Sequence, residues 1–118
     1  MPESSDIIPR LQAVLCLIDG ILEATHGQAF DHIRGNFLYE RAVERTVELI
    51  SEAEDVLPDA MLARYPDVDF TPVLTLADKL LDNDYRIQTD EMWKLITKQL
   101  PRLKAGIMTI LADFGYSI

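Results

Sequence analysis

Several features that would place a protein in a common functional class are missing from this sequence. Its one cysteine, Cys16, cannot form an internal disulfide, and its position beside an apolar helical stripe predicts a small core residue. No apolar run reaches the roughly 18 residues that cross a bilayer, and no basic segment followed by an apolar one indicates a secretory signal. We therefore expect a cytoplasmic protein with no membrane association.

An excess of positive charge is also missing. The 118 residues carry 11 Lys and Arg against 20 Asp and Glu, a net charge of −9, which repels nucleic acid unless basic residues are locally concentrated. The nearest concentrations are these: Lys94, Lys98, Arg102 and Lys104 late in the chain, and Arg41 with Arg45 earlier. Basic residues at helical spacing, with acidic residues beside them, are typical of solvated helix faces. The charge pattern therefore does not predict RNA binding.

Metal-ligating patterns are weak as well. His26 and His32 are the only histidines, and neither has a cysteine or a third histidine at a zinc-ligand spacing. Asp78, Asp82 and Asp84 offer carboxylate oxygens that suit a hard cation such as magnesium. Acidic residues at a helix end and turn are usually only solvated. We expect neither a metal nor another cofactor.

Apolar residues recurring every three or four positions predict three long helices, over residues 11–22, 37–57 and 90–114. The middle one has two parallel rows, Leu38, Ala42, Leu49 and Ala53, and Tyr39, Val43, Val47 and Ile50. The predicted core includes Leu49, Ile96, Leu103 and Ile107. Pro101 lies inside the last periodic segment, where it predicts a kink but no loop.

Shorter segments complete the predicted fold. Residues 30–34 and 58–65 suggest helices of one or two turns, and Thr71 is a good N-cap for a helix that ends at Asn83 and Asp84. Thr89 is expected to cap the last helix. No segment alternates with period two. The sequence predicts an all-α, antiparallel up-and-down helical bundle with three long and about two short helices, in a single domain over residues 1–118.

Four segments resemble HepT-like proteins of the HEPN superfamily. They are RLQAVLCLIDGILEAT at 10–25, RAVERTVELISEAEDVL at 41–57, ARYPDVDF at 63–70 and MWKLITKQLPRLKAGI at 92–107. Each segment alone is a weak signal, because amphipathic helices resemble one another by chance. Together they follow that family's order and spacing over nearly the whole chain, so the sequence is similar to a HepT-like helical subunit.

The resemblance implies a specific chemistry. Active members are metal-independent ribonucleases that act as toxins, with an arginine, four to six residues, a histidine and commonly a tyrosine one residue later. They typically form homodimers, and a partner nucleotidyltransferase neutralises them by adenylylating the tyrosine. Histidine moves a proton near neutral pH, while arginine binds phosphate and stabilises the charge that develops in the transition state.

The catalytic motif is absent from this chain. An ungapped alignment places its positions at Ala77, Asp82 and Asp84. A one-residue gap places them at Asp78, Asn83 and Tyr85. Neither histidine of the chain has an arginine five to seven positions before it, as the motif requires. Residues 77–91 carry five acidic against two basic side chains, a balance of −3 that would repel RNA.

The favoured interpretation is a catalytically degenerate HepT-like protein, homodimeric, that serves as a binding subunit for an antitoxin-type nucleotidyltransferase. Tyr85 is a possible site of nucleotide attachment, with Lys79, Asp84 and Arg86 as possible cleft residues. Two alternatives stay open. One is an active ribonuclease that uses Lys79, Arg86 and Tyr85, and the other is the substrate-binding subunit of a two-part nucleotidyltransferase. The apolar residues Met92, Trp93 and Leu81 predict a dimer surface.

Overall fold

The computed structural model describes the backbone of residues 4–115 and the side chains of residues 7–115. Within that range it is an all-α bundle without strands. The helices are α1 (Ser4–Thr25), α2 (Phe30–Ile33), α3 (Phe37–Asp55), α4 (Asp59–Ala63), α5 (Thr71–Lys79), α6 (Thr89–Lys94) and α7 (Leu100–Asp113). A π-helical turn, Leu95–Gln99, joins α6 to α7 without a break, and we call these three segments together the last helix. The three long helices are confirmed, and three short helices accompany them instead of about two.

Local hydrogen bonds and glycines set the helix ends. Asn36 caps α3, since its Oδ1 accepts the N–H groups of Leu38 at 3.1 Å and Tyr39 at 3.4 Å. Gly35 precedes this cap with a φ of +72°, and Gly115 follows the last helix with a φ of +86°. Both angles lie in the left-handed region, which a side chain disfavours. The predicted stop at Gly115 is confirmed.

One face of α3 packs into the hydrophobic core, between α1 and α5. Val43, Val47 and Ile50 are buried there. The row that begins at Leu38 points away: Leu38 is 76% exposed, and Leu49 is only half-buried, so its predicted core position is wrong. The two rows are neighbours on the helix, about 100° apart, so only one can face the partner helices. The other predicted core positions, Ile96, Leu103 and Ile107, are buried as expected.

Cys16 is exposed, which corrects its predicted place in the core. Val14 and Ile18, two residues to either side, are fully buried. At about 100° per residue, a position two residues away lies roughly 200° round the helix and so faces outward. Cys16 therefore lies outside the apolar stripe of α1.

The last helix passes Pro101 without a loop, as predicted. Just before the proline, the Leu100 N–H donates to the Leu95 carbonyl, five residues back, which is the hydrogen bond of a π turn. Proline has no N–H and its ring crowds the carbonyl four residues earlier, so a regular α-helix is unfavourable there. The wider turn is how this helix accommodates Pro101.

Helix α5 is shorter than predicted, because it ends at Lys79 and not at Asn83 and Asp84. The Asp82 Oδ1 accepts the Asp84 N–H at 2.9 Å, an Asx turn that competes with helical hydrogen bonding. Leu81 is 79% exposed, so burial of its side chain does not stabilise a further turn of α5. Asp78 and Asp82 thus do not share a helical face. Thr89 is the first residue of α6, and Gln88 occupies the cap position predicted for Thr89.

No helix in the described part of the chain combines the length and apolar character needed to cross a bilayer.

Two helical glycines should respond in opposite directions to alanine. At Gly106 on α7 an added Cβ would lie 2.8 Å from the Val68 Cγ2, whereas at Gly20 on α1 nothing lies within 4 Å. We expect Gly106→Ala to destabilise the fold by about 1–3 kcal/mol through overpacking. Gly20→Ala should stabilise it by about 0.5–1 kcal/mol. Urea unfolding measures both, and equal shifts would show that the 65–70 loop does not pack on α7 as described.

Candidate functional site

The positions that correspond to the catalytic motif lie at the end of α5 and in the turn that follows. Ala77 is half-buried and packs against the core, while Asp78 is exposed at the next position. Asp82 and Asn83 are exposed in the turn. The two alignments therefore place Asp82 or Asn83 at the motif's histidine position, and neither residue is a histidine or a cation.

Tyr85, Glu91 and Lys79 form a side-chain cluster, which we call the Tyr85 cluster. The Tyr85 hydroxyl donates to Glu91 Oε1 at 2.5 Å, and Lys79 Nζ lies 3.1 Å from Glu91 Oε2. The ammonium of Lys79 is also 5.7 Å from the centre of the Tyr85 ring. The Gln88 N–H donates to Glu91 Oε1 at 3.0 Å, which satisfies a donor at the start of α6. Glu91 thus joins α5, the turn and α6.

The cluster shifts the ionisation of its members. Burial, and then the hydrogen bond to Glu91 and its negative charge, raise the pKa of Tyr85 to about 12. For Glu91, burial would raise the pKa, but hydrogen bonds from Tyr85, Gln88 and Lys79 outweigh it and lower the pKa below its usual value. At neutral pH the tyrosine is protonated and the glutamate charged. The pair therefore resembles an acceptor hydroxyl beside a base.

The raised pKa gives a pH test of the Tyr85 cluster. A group whose pKa is raised on folding stabilises the folded state, and the full effect is present below the pKa of the unfolded chain. For Tyr85 that pKa is near 10, and the stabilisation is lost as the pH rises through about 12. We expect the tyrosinate absorbance that disappears in Tyr85→Phe to titrate near 12, and Glu91→Gln should move it towards 10. A Tyr85 titration that Glu91→Gln leaves unchanged would contradict the contact.

The possible cleft residues Arg86 and Asp84 take no part in this cluster. The Arg86 guanidinium donates to the backbone carbonyls of Asn83 at 3.1 Å and of Tyr85 at 2.8 Å. These bonds satisfy carbonyl groups of the turn itself. Asp84 is exposed, and its N–H is held by Asp82. Of the predicted site residues, only Lys79 and Tyr85 meet through their side chains.

Two acidic residues of this region were not predicted as site residues. Glu91 could have been recognised from its spacing, since an acid three residues after a cap is typical of a helix start. Glu44 is buried on α3 beside Val43, forms an ion pair with Arg41, and accepts the Ile87 N–H at 3.4 Å. A charged residue beside a buried apolar row was the available signal. Glu44 thus connects α3 to the irregular segment before α6.

The side chains described, those of residues 7–115, contain no group of three potential ligands that could bind a metal ion. The apolar residues behind the predicted dimer surface divide among different environments. Met92 is buried in the core, Trp93 is half-buried with its ring 5.3 Å from that of Phe30, and Leu81 is exposed. Met92 therefore cannot contribute to an outer surface, contrary to expectation.

Comparisons with known proteins agree with the resemblance read from the sequence. A family model described as ribonuclease HepT-like matches residues 14–110. A protein of Methanocaldococcus jannaschii, named as an inferred RNase, is 27% identical over 113 residues, covering 96% of this chain and 93% of its own. A Thermococcus cleftensis protein, named as an inferred ribonuclease HepT, is 24% identical over 94 residues, which cover 80% of this chain and 86% of the relative. No solved structure matches the chain.

Proposed function

The chain belongs to the HepT-like ribonuclease family, and from this premise we propose that it is a catalytically degenerate member that acts as a binding subunit. One observation carries the proposal. Neither His26 nor His32 has an arginine five to seven positions before it, so the family's acid–base and phosphate-binding pair is missing in any alignment. Without the histidine there is no residue to transfer the proton, and without the arginine none to stabilise the charge of the transition state.

The side chains at the replaced positions support this proposal. Asp78, Asp82 and Asp84 are exposed carboxylates, and the local balance over residues 77–91 is −3. These carboxylates would repel a scissile phosphate, whereas the family's chemistry needs a cation at this place. The turn is therefore poorly suited to phosphodiester cleavage.

The proposed partner is an antitoxin-type nucleotidyltransferase, and the proposed compartment is the cytoplasm. Tyr85 supports this partner because it keeps a hydroxyl at the modified position of the gapped alignment, hydrogen-bonded to the Glu91 carboxylate. That carboxylate is placed to accept the hydroxyl proton as the tyrosine oxygen attacks the α-phosphorus of a nucleoside triphosphate and pyrophosphate leaves.

Purification of the native protein from its host tests the partner. We expect a nucleotidyltransferase to co-purify and a nucleotide adduct to map to Tyr85 by mass spectrometry, with Tyr85→Phe as the matched control that carries no adduct. Co-purification without an adduct would support a binding subunit and reject Tyr85 as the acceptor. The absence of any nucleotidyltransferase would contradict the proposed partner.

The Tyr85 cluster also favours a second candidate, an active ribonuclease with a non-standard residue set. Glu91 is an ionised carboxylate, Lys79 is a cation, and both contact Tyr85. Cleavage of RNA by the unmodified chain that Glu91→Gln or Tyr85→Phe abolishes would establish this alternative.

We further propose a homodimer at micromolar concentration. Phe37 and Leu38, side by side at the start of α3, are 60% and 76% exposed, and large exposed apolar side chains mark association surfaces. Light scattering should give twice the 13.4 kDa chain mass, and Leu38→Glu should shift it towards monomer. Ala13→Glu, at an exposed position on α1, is the matched control. A 13 kDa species over a wide concentration range would reject the dimer.

A further inference from the structure

An elongated groove runs along one side of the last helix. It begins between that helix and α5 as two adjoining cavities of about 280 and 250 Å³, which share Asp69, Pro72, Lys94 and Gln99 as lining residues. A third cavity of about 360 Å³ continues it, since Arg102 lines both this cavity and the second one. We call the three cavities together the basic groove. Its length suits an extended ligand better than a compact small molecule.

The side of the basic groove that the last helix supplies is cationic. Lys94, Lys98 and Arg102 are exposed at four-residue intervals, and all three line the second cavity. They form no ion pair with the side chains described in residues 7–115, whereas Lys104 lies 2.6 Å from Asp19. At about 1.5 Å per residue, the row from Lys94 to Arg102 is about 12 Å long. The sequence predicts a solvated face for these residues, whereas the structure places them along one groove.

The opposite side of the basic groove, which α5 supplies, offers apolar surface. Pro72 and Leu76 line the first cavity, and Pro72 also lines the second. The third cavity adds Val68, Ala105 and Gly106. Among the described side chains, no aromatic ring lines the first two cavities, so the bases of a polynucleotide would have nothing to stack on there. A ligand that matches this groove carries both anionic and apolar groups.

Two of the carboxylates that line the basic groove are already engaged. Asp69 accepts the Thr71 N–H at 2.9 Å, and hydrogen bonds with Thr71, ahead of the charge of Arg102, lower the pKa of Asp69. Glu91 is bonded within the Tyr85 cluster. Five cations and three carboxylates line the three cavities, a balance of +2 on a chain whose net charge is −9. The basic groove therefore attracts anions locally.

We propose that the basic groove binds an extended segment of a partner protein in which acidic and apolar residues alternate. Successive side chains of an extended chain point to opposite sides, so the acidic ones can face the last helix while the apolar ones face Pro72 and Leu76 of α5. Three carboxylates at alternate positions span about 13 Å, close to the length of about 12 Å of the cationic row. The inference goes beyond the proposed function, because it uses neither the missing motif nor Tyr85. It also holds whether or not the partner is a nucleotidyltransferase.

Fluorescence anisotropy of the full chain with a labelled peptide, Gly-Ser-Glu-Val-Glu-Val-Glu-Val-Gly, tests this site. We expect saturable binding at about 50 mM salt that weakens at higher salt, because salt screens ion pairs at the surface. The variant Lys94→Gln/Lys98→Gln/Arg102→Gln should bind the peptide about tenfold more weakly or worse, since three ion pairs are lost together. Circular dichroism verifies that the variant is folded.

Two control peptides separate the alternating pattern from charge alone. A peptide with glutamine in place of each glutamate should show no binding up to about 1 mM, because its side chains are neutral. A peptide with the three glutamates and three valines in separate blocks should bind about threefold more weakly or worse, because it cannot face both sides of the groove. Equal affinity for the alternating and blocked peptides would overturn the proposed recognition.

A matched variant separates the basic groove from the net charge of the chain. Arg10→Gln/Arg34→Gln/Arg45→Gln removes three charges from exposed positions outside the groove, and it should bind the alternating peptide within about twofold of the unmodified chain. Equal losses in the two triple variants would overturn the proposal, as would no binding at about 50 mM salt. Oligouridylate or tripolyphosphate that displaces the labelled peptide at a lower concentration than the unlabelled peptide would also overturn it. The first result would indicate a nucleic-acid strand as the ligand, and the second a free polyphosphate.

Discussion

Asp78→Arg combined with Asn83→His should give this chain ribonuclease activity at least 100-fold above that of the unmodified protein, which we expect to show none above background. A positioned general acid or base typically contributes 10²–10⁴-fold, and one electrostatic group at a developing charge contributes a comparable factor. Both substitutions replace exposed side chains, so neither disturbs the core. Cleavage of a labelled RNA, with growth arrest on expression, measures the gain.

We favour this gapped register over the ungapped one. Asp78 is exposed, whereas Ala77 packs against the core and leaves little room for an arginine. The gapped register also aligns the tyrosine with Tyr85, whose hydroxyl already lies beside Glu91. Ala77→Arg/Asp82→His is the matched control, which we expect to stay inactive and to lose stability.

The opposite outcome would reassign residues 77–85. Activity in Ala77→Arg/Asp82→His alone would show that the ungapped alignment is correct. Failure of both double variants, each verified as folded and dimeric, would mean that the acidic surroundings block phosphate or that the cleft is closed. The loss of the arginine and histidine would then not be what makes the chain inactive.

Leu103→Ala should cost about 2–5 kcal/mol of unfolding free energy. Leu103 lies on α7 with 2% of its surface exposed and belongs to the hydrophobic core. Truncation removes buried apolar surface and leaves a cavity, because neighbouring helices relax only partly. Urea unfolding with an unchanged slope would report the loss as stability alone.

Leu38→Ala is the matched control for this measurement, since the same atoms are removed from a side chain that is 76% exposed. It should change stability by no more than about 0.5 kcal/mol. A cost below about 0.5 kcal/mol at Leu103 would place that residue on the surface and contradict the packing of α7. A large cost at Leu38 would indicate that the dimer contributes to the measured stability.

The long helices were predictable because apolar spacing over about three to seven turns has few alternative explanations. The face of α3 was not. Its two apolar rows are neighbours, and the choice of Val47 over Leu49 depends on where α1 and α5 pack. Similarly, the end of α5 depends on competition between an Asx turn at Asp82 and continued helix, which propensity alone does not decide.

The candidate site was predictable only as a set of residues. The absence of the arginine and histidine could be established from the sequence, because the motif is defined by the order and spacing of residues along the chain. The contact between Tyr85 and Glu91 depends on the path of the turn between α5 and α6. The grouping of Lys94, Lys98 and Arg102 in a groove depends on α5 lying alongside the last helix. Neither follows from periodicity.

The π turn before Pro101 has a further consequence for how this chain is matched to others. A hydrogen bond that spans five residues encloses one residue more than an α-helical one, so the last helix contains an extra residue between Leu95 and Leu100. If a regular α-helix is superposed on α6, its residues will therefore be shifted by one position relative to those of α7. Residue equivalences between this protein and a relative with a continuous α-helix need a single-residue gap inside a helix, where alignment methods are least inclined to place one.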